Sequence, residues 1–193
     1  MDYYDHHPTL QLERALALIG FMGAGVGAVA HGLAARTGLP LFDLPRLVES
    51  RAGKSWSQLL LEDGPRALGD AECEALRQSL DDGAHGVIAL SHGALLHAGI
   101  REQLEDRAHL VYLERPLDVL FRRVTTQLRE RPASIAEFML APPGEVGDLE
   151  PYFVEREPGY REAQSILMAR DLHAQEIVDA LLQDLRGDPA SGS

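Results

Sequence analysis

Lysine is all but missing from this chain: Lys54 is the only one among 193 residues, and arginine supplies the rest of the positive charge. Cysteine is as scarce. Cys73 stands alone, which excludes an internal disulfide and any zinc site built from cysteine pairs. A single thiol fits a reducing compartment, so a cytoplasmic protein is expected. No run is apolar for the length that a bilayer-spanning helix needs. Cationic surface is lacking too. A net charge of −12 argues against nucleic acid, whose phosphates nothing here would neutralise, and against anionic membranes. The stretch Met1–Pro8 is acidic, carries His6 and His7, and lacks the charged-then-apolar order of an export signal.

What remains is an ordinary globular composition, 45% apolar and 25% charged, long enough for one domain with a full core. Short apolar runs at 15–20, 40–43, 86–90, 109–113 and 165–168 read as strands. They lack polar alternation, the pattern of strands buried on both faces. Helical patterns lie at 26–37, 45–51, 55–62, 66–80, 100–106, 117–128, 151–163 and 173–185. Strand and helix in alternation predict an α/β domain of three layers around a five-stranded parallel sheet. The expected organisation is a flexible tail over 1–14, the domain over 15–186 and a second flexible tail over 187–193. The stretch 129–158 carries five of its prolines and many acids, and reads as an excursion over the sheet edge, either a lid or a surface insertion.

One local pattern carries chemistry. The run Ala15–Ile19 enters a glycine-rich turn that opens a helix near Val26. A phosphate-binding loop reads G-x-x-x-x-G-K-[ST], its lysine reaching the outer phosphates and its hydroxyl holding Mg²⁺. Gly20 and Gly25 keep that spacing, with Gly23 and Ala24 between them, but Val26 holds the lysine position and Gly27 the hydroxyl position. Valine carries no charge, and glycine offers a metal no ligand. Backbone N–H groups at the helix start still attract anions. His31, His85, His97, His109 and His173 show no metal-ligand spacing. Trp56 reads as the anchor of an amphipathic helix rather than a ligand platform. His92 follows a strand end, where ligands bind in open α/β sheets, and reads as a pocket-filling group ahead of a general base.

From about Leu16 to Leu185 the chain resembles the shikimate kinases, a family with the P-loop nucleoside-monophosphate-kinase-like fold. The resemblance rests on Ala17–Gly25, on Leu39-Pro-Leu-Phe-Asp43, on Arg51-Ala-Gly-Lys-Ser55, on Arg131-Pro132, and on the segment Glu155–Ala163. It implies a P-loop kinase fold with a lid at about 129–158. It also implies a reaction in which ATP gives its γ-phosphoryl group to the 3-hydroxyl of shikimate, Mg²⁺ bridging the phosphates. Gly20, Gly23, Ala24, Gly25, Val26 and Gly27 would then form the nucleotide loop. Asp43 would be the metal-associated aspartate and Arg131 the lid arginine that reaches nucleotide phosphates. Arg156 would grip the substrate carboxylate, and His92 and Gly93 would line the substrate pocket. Arg131 and Arg156 each have a plain structural alternative, pairing with the acidic excursion.

The same resemblance exposes what the chain has changed. Pro45 stands where the family has a second aspartate, Leu68-Gly69 where it has a carboxylate-binding arginine, and Ser91-His92-Gly93 where it has a glycine triplet. Losing one transition-state charge contact commonly costs a factor of ~10²–10³, and such effects within one site do not add. Two readings stay open. In the first, phosphoryl transfer is lost, no cofactor is certain, and the protein binds a small carboxylate through Arg156 or a protein partner. In the second, an active shikimate kinase or related small-molecule kinase uses ATP and Mg²⁺ with a relocated cation, for which Arg36, Arg46 and Arg66 are candidates.

Overall fold

A computed structural model describes residues 12–81, 85–130 and 142–187, the last without side-chain detail at 186–187. Residues 1–11 of the first expected tail, with His6 and His7, residues 188–193 of the second, and Arg131 lie outside the described residues. Five strands form one parallel sheet in the order β2-β3-β1-β4-β5. They are β1 (Ala15–Ile19), β2 (Leu41–Asp43), β3 (Val87–Ala89), β4 (Ala108–Glu114) and β5 (Ser165–Met168). β1 lies at the centre, pairing Leu16 with Val87 of β3 and Ala15 with Ala108 of β4. Every residue of β1 and β3 is buried, which is why these segments read as unbroken apolar runs. The edge strands differ from the expectation of two-faced burial. β2 is half-buried, and β5 alternates, with Ile166 and Met168 exposed on one face of the sheet while Ser165 and Leu167 on the other are half-buried.

Eight α-helices complete the described fold: α1 (Val26–Thr37), α2 (Leu44–Ala52), α3 (Trp56–Gln58), α4 (Gly64–Asp81), α5 (Ala98–Glu105), α6 (Leu117–Glu130), α7 (Glu150–Arg161) and α8 (Ala174–Gly187). Small residues let α1 approach α8 closely: a Cβ on Gly32 would sit 2.9 Å from a Val178 methyl. Local chemistry sets the helix ends. Asp43 caps α2, its side chain accepting from the Arg46 N–H, with Pro45 in the first turn. Ser55 and Gln58 form a reciprocal capping box at α3.

Two stretches depart from the sequence expectation. The helix expected over 55–62 is one α-turn followed by a π-helical turn at Leu59–Asp63, so its backbone is wider than the pattern implies. The excursion expected over 129–158 is partly regular. α6 runs to Glu130, a 3₁₀ turn at Val146–Leu149 buries Leu149 completely, and α7 starts at Glu150. Pro151 sits in the first turn of α7, where its missing N–H has no intrahelical partner to lose, whereas Pro158 lies inside the helix and withholds one N–H from the ladder. Residues 131–141 lie outside the described part. Among the described residues no helix is long and apolar enough to cross a membrane.

Candidate functional site

The glycine-rich turn leaves β1 at its carboxyl end and wraps the start of α1. Gly23 and Gly25 take φ values of 81° and 88°, a left-handed backbone that suits glycine. The turn is tight: a Cβ on Gly20 would fall 2.7 Å from that of Ala24. Residues that follow β3, Leu90 to His92, reach the same end of the sheet. Between these two strand ends and the helices α2 and α3 lies a cavity of about 340 Å³. The loop contributes Gly20, Phe21, Met22, Gly23, Gly25 and Val26 to its lining. Across it stand Pro45 and Glu49 of α2, Trp56 and Ser57 of α3, and Leu90, Ser91 and His92.

The charges of that lining matter most. No lysine or arginine is among the lining residues; Glu49 is the one formal charge. Val26, at the lysine position, is a buried wall of the cavity. His92 adds no cation, because burial, and then the nearby Arg156 guanidinium, push its pKa down to about 3. Its ring sits between Phe21 and Trp56, with centroids 6.3 Å and 5.9 Å away. Behind this wall Glu72 is 1% exposed and accepts from the Trp56 indole N–H at 3.0 Å. Burial raises the Glu72 carboxyl pKa, while the Ser91 hydroxyl and the Trp56 indole oppose the rise by favouring the carboxylate.

The residues singled out in the sequence divide between two places. Gly20, Gly23, Gly25, Val26 and His92 meet at the cavity. Ala24 is wholly buried, and its carbonyl accepts from Arg115 Nε at 3.0 Å. Nothing lies within 4 Å of a Cβ built on Gly27 or on Gly93, so both positions have open space. Asp43 is not in the cavity lining. Besides capping α2 it faces His31 at 3.6 Å and Arg46 at 3.5 Å, and among the described residues no cluster of three metal-binding side chains exists. Arg156 is outside the lining as well. Its Nη1 donates to the Tyr152 carbonyl at 3.0 Å and to the Glu155 carboxylate at 2.5 Å. Leu68 and Gly69 are buried on α4, and the His97 ring occupies the space beside Gly69, 1.9 Å from where a Cβ would stand.

A cation does reach the loop, from a place the sequence reading missed. Arg36 pairs with Asp179, Arg46 with Asp43, and Arg66 is exposed on α4. Arg123 of α6 meets the turn instead. Its Nε donates to the Gly23 carbonyl at 2.6 Å, and its Nη2 is 3.1 Å from the Cβ position of Gly25. Beside it Arg115 is 2% exposed and donates to the carbonyls of Ala24, Arg170 and Leu172, tying the loop to the turn before α8. Burial, then the Arg123 charge, lower the Arg115 pKa to about 10, so it stays protonated. Arg123 touches the loop outside the cavity. Glu49 was equally illegible as a wall residue, and Trp56 lines the cavity instead of serving only as an anchor.

Comparison with known proteins follows the geometry. The family model described as Shikimate kinase matches residues 22–186. A shikimate kinase of Rhodopseudomonas palustris is 33% identical over 167 residues, 86% of this chain and 78% of that protein. One from Salinibacter ruber is 34% identical over 170 residues, 86% of this chain and 81% of the relative. Among solved structures, the shikimate kinase of Acinetobacter baumannii in complex with shikimate superposes with a TM-score of 0.76. It shares 24% identity, and the match covers 91% of this chain and 94% of that one, a likeness of fold. By the extent of these matches, the chain belongs to the shikimate kinase family.

Proposed function

We propose that this member of the family binds a small ligand at the head of the sheet without efficient phosphoryl transfer to shikimate. The observation that carries the reading is the cavity above Val26: its lining includes a carboxylate and no cation. A transferring phosphoryl group spreads negative charge over its oxygens, and catalysis of its transfer is chiefly positioning and charge stabilisation. Burying that charge beside Glu49, with no positive partner, is unfavourable. Of the groups that would hold Mg²⁺, Gly27 has no side chain and Asp43 is engaged with Arg46 and His31. The residues present therefore fit a magnesium triphosphate poorly. Purified protein with ATP, Mg²⁺ and shikimate is expected to form no phosphorylated product. Turnover that disappears in Asp43→Asn would defeat the reading.

A second reading has its own support. The curated relatives carry the name shikimate kinase, and kinship weighs on the side of an active enzyme. Arg123 on the loop is the specific observation that favours it, as a cation in place of the missing lysine. That reading expects millimolar or tighter binding of Mg·ATP and turnover of a small hydroxylated carboxylate, both lost in Arg123→Leu. Calorimetry that detects no heat with Mg·ATP would remove it.

A further inference from the structure

We propose that the cavity between the glycine-rich turn and helices α2 and α3 is a binding site for a small planar organic cation, an amine on a flat aromatic body. The inference rests on the reading that the loop no longer handles a triphosphate, and it names the ligand class of that same site. Three observations on the lining carry it. The first is shape and surface. At about 340 Å³ the cavity suits a compact ligand, and Phe21, Trp56 and His92 give it aromatic walls while Met22, Val26 and Leu90 close it with apolar ones. Such walls favour a flat body, and their π electrons favour a cation.

The second observation is the sign of the charge. Glu49 is the one carboxylate among the lining residues, which include no lysine or arginine, and its Oε1 already accepts the Trp56 backbone N–H at 2.9 Å, which fixes the group at the wall. An anion entering there would be drawn by backbone N–H groups at the start of α1 but would lie beside a carboxylate with no cationic side chain in the lining; an ammonium group would pair with Glu49. The third is where the neighbouring cations point. Arg156 is outside the lining and engaged by Glu155 and Tyr152, while Arg123 and Arg115 donate to backbone carbonyls of the loop. None of the three lines the cavity. The chain's net charge of −12 also draws cations, not anions, towards it.

Trp56 is the only tryptophan in the chain and lies in the wall, so its fluorescence reports occupancy directly. The full chain would be titrated at neutral pH with benzylamine, benzyl alcohol and benzoate, three bodies of one shape and opposite or no charge, and with inorganic phosphate. Benzylammonium is expected to give a saturable change with a Kd at least about tenfold below that of benzoate, and phosphate no saturable change. Glu49→Gln keeps a carbonyl oxygen for the Trp56 N–H and is expected to bring amine and carboxylate within about threefold of each other, leaving the alcohol unchanged. Val26→Lys, which places a cation in the same wall, is expected to invert the preference. Benzoate or phosphate binding as tightly as the amine, a ranking unmoved by both variants, or no saturable response to any probe would each overturn the proposal. A parallel assay with ATP, Mg²⁺ and shikimate separates the two claims. Turnover alongside tight amine binding would leave the cation site standing and remove the no-transfer reading. Silence of both the probes and the assay would remove the cation site alone.

Discussion

Replacing His92 with glutamine is expected to flatten the acid limb of the protein's stability. In the folded chain the imidazole pKa is held at about 3, chiefly by burial and next by the Arg156 guanidinium, against 6.5 when unfolded. The fold therefore keeps the ring neutral where the unfolded chain protonates it. Between pH 6.5 and 3 the unfolded state binds more protons, so stability falls as the pH falls. Each pH unit across that window is worth up to about 1.4 kcal/mol. At pH 5 the cost relative to pH 7.5 is about 2 kcal/mol. Glu72 acts in the opposite sense, since burial raises its pKa and the fold favours its protonated form as the pH drops. Glu74, held at about 2 by Arg77, and Asp81, lowered chiefly by Arg107, add their losses only in the carboxylate range. Urea titrations of both proteins at pH 7.5 and 5 isolate the histidine by difference. The wild type is expected to lose about 2 kcal/mol more than the variant. Equal losses in the two proteins, or a His92 imidazole NMR signal, assigned by its absence from the variant, that titrates near 6.5, would refute the account.

Two further outcomes follow from contacts around the site. Gly69→Ala puts a methyl group where the His97 ring lies, and should destabilise the fold by about 1–3 kcal/mol. In a His97→Ala background the same change should cost at least about 1 kcal/mol less, and equal costs in both backgrounds would show that the ring does not occupy that space. Arg115→Met removes the donors to the carbonyls of Ala24, Arg170 and Leu172. With about 1–3 kcal/mol at stake for each buried group left unpaired, and water able to reach the exposed Arg170, a loss of about 3 kcal/mol in chemical denaturation is expected. A loss under about 1 kcal/mol would mean that this guanidinium does not hold the loop to the turn before α8.

Much of the framework is local and was therefore legible. Ala15–Ile19 and Val87–Ala89 are apolar at every position because both faces of a central parallel strand are covered. The turn at Gly20–Gly25 declares itself by spacing, and the empty lysine position at Val26 needs no structure to be seen. Legibility fails where a neighbour decides. The edge strand β5 alternates because the face that carries Ile166 and Met168 is left uncovered, which an isolated run such as Ser165–Met168 does not advertise. The π-helical turn at Leu59–Asp63 interrupts a pattern that counts as helical at 3.6 residues per turn.

The residues alone decided that this is an α/β protein of the shikimate kinase family, that its turn has lost the lysine and the hydroxyl, and that no disulfide can staple it. Those properties follow from patterns within a few residues, where hydrogen bonding and side-chain periodicity act. Only the tertiary structure decided what surrounds the turn. It brings Arg123 onto Gly23 across 100 residues of chain, sets Glu49 and Trp56 opposite Val26, and lays His97 in the space beside Gly69. Such meetings depend on strand order and on which helix faces close over the sheet, and contacts between residues so distant leave no periodic signal along the chain.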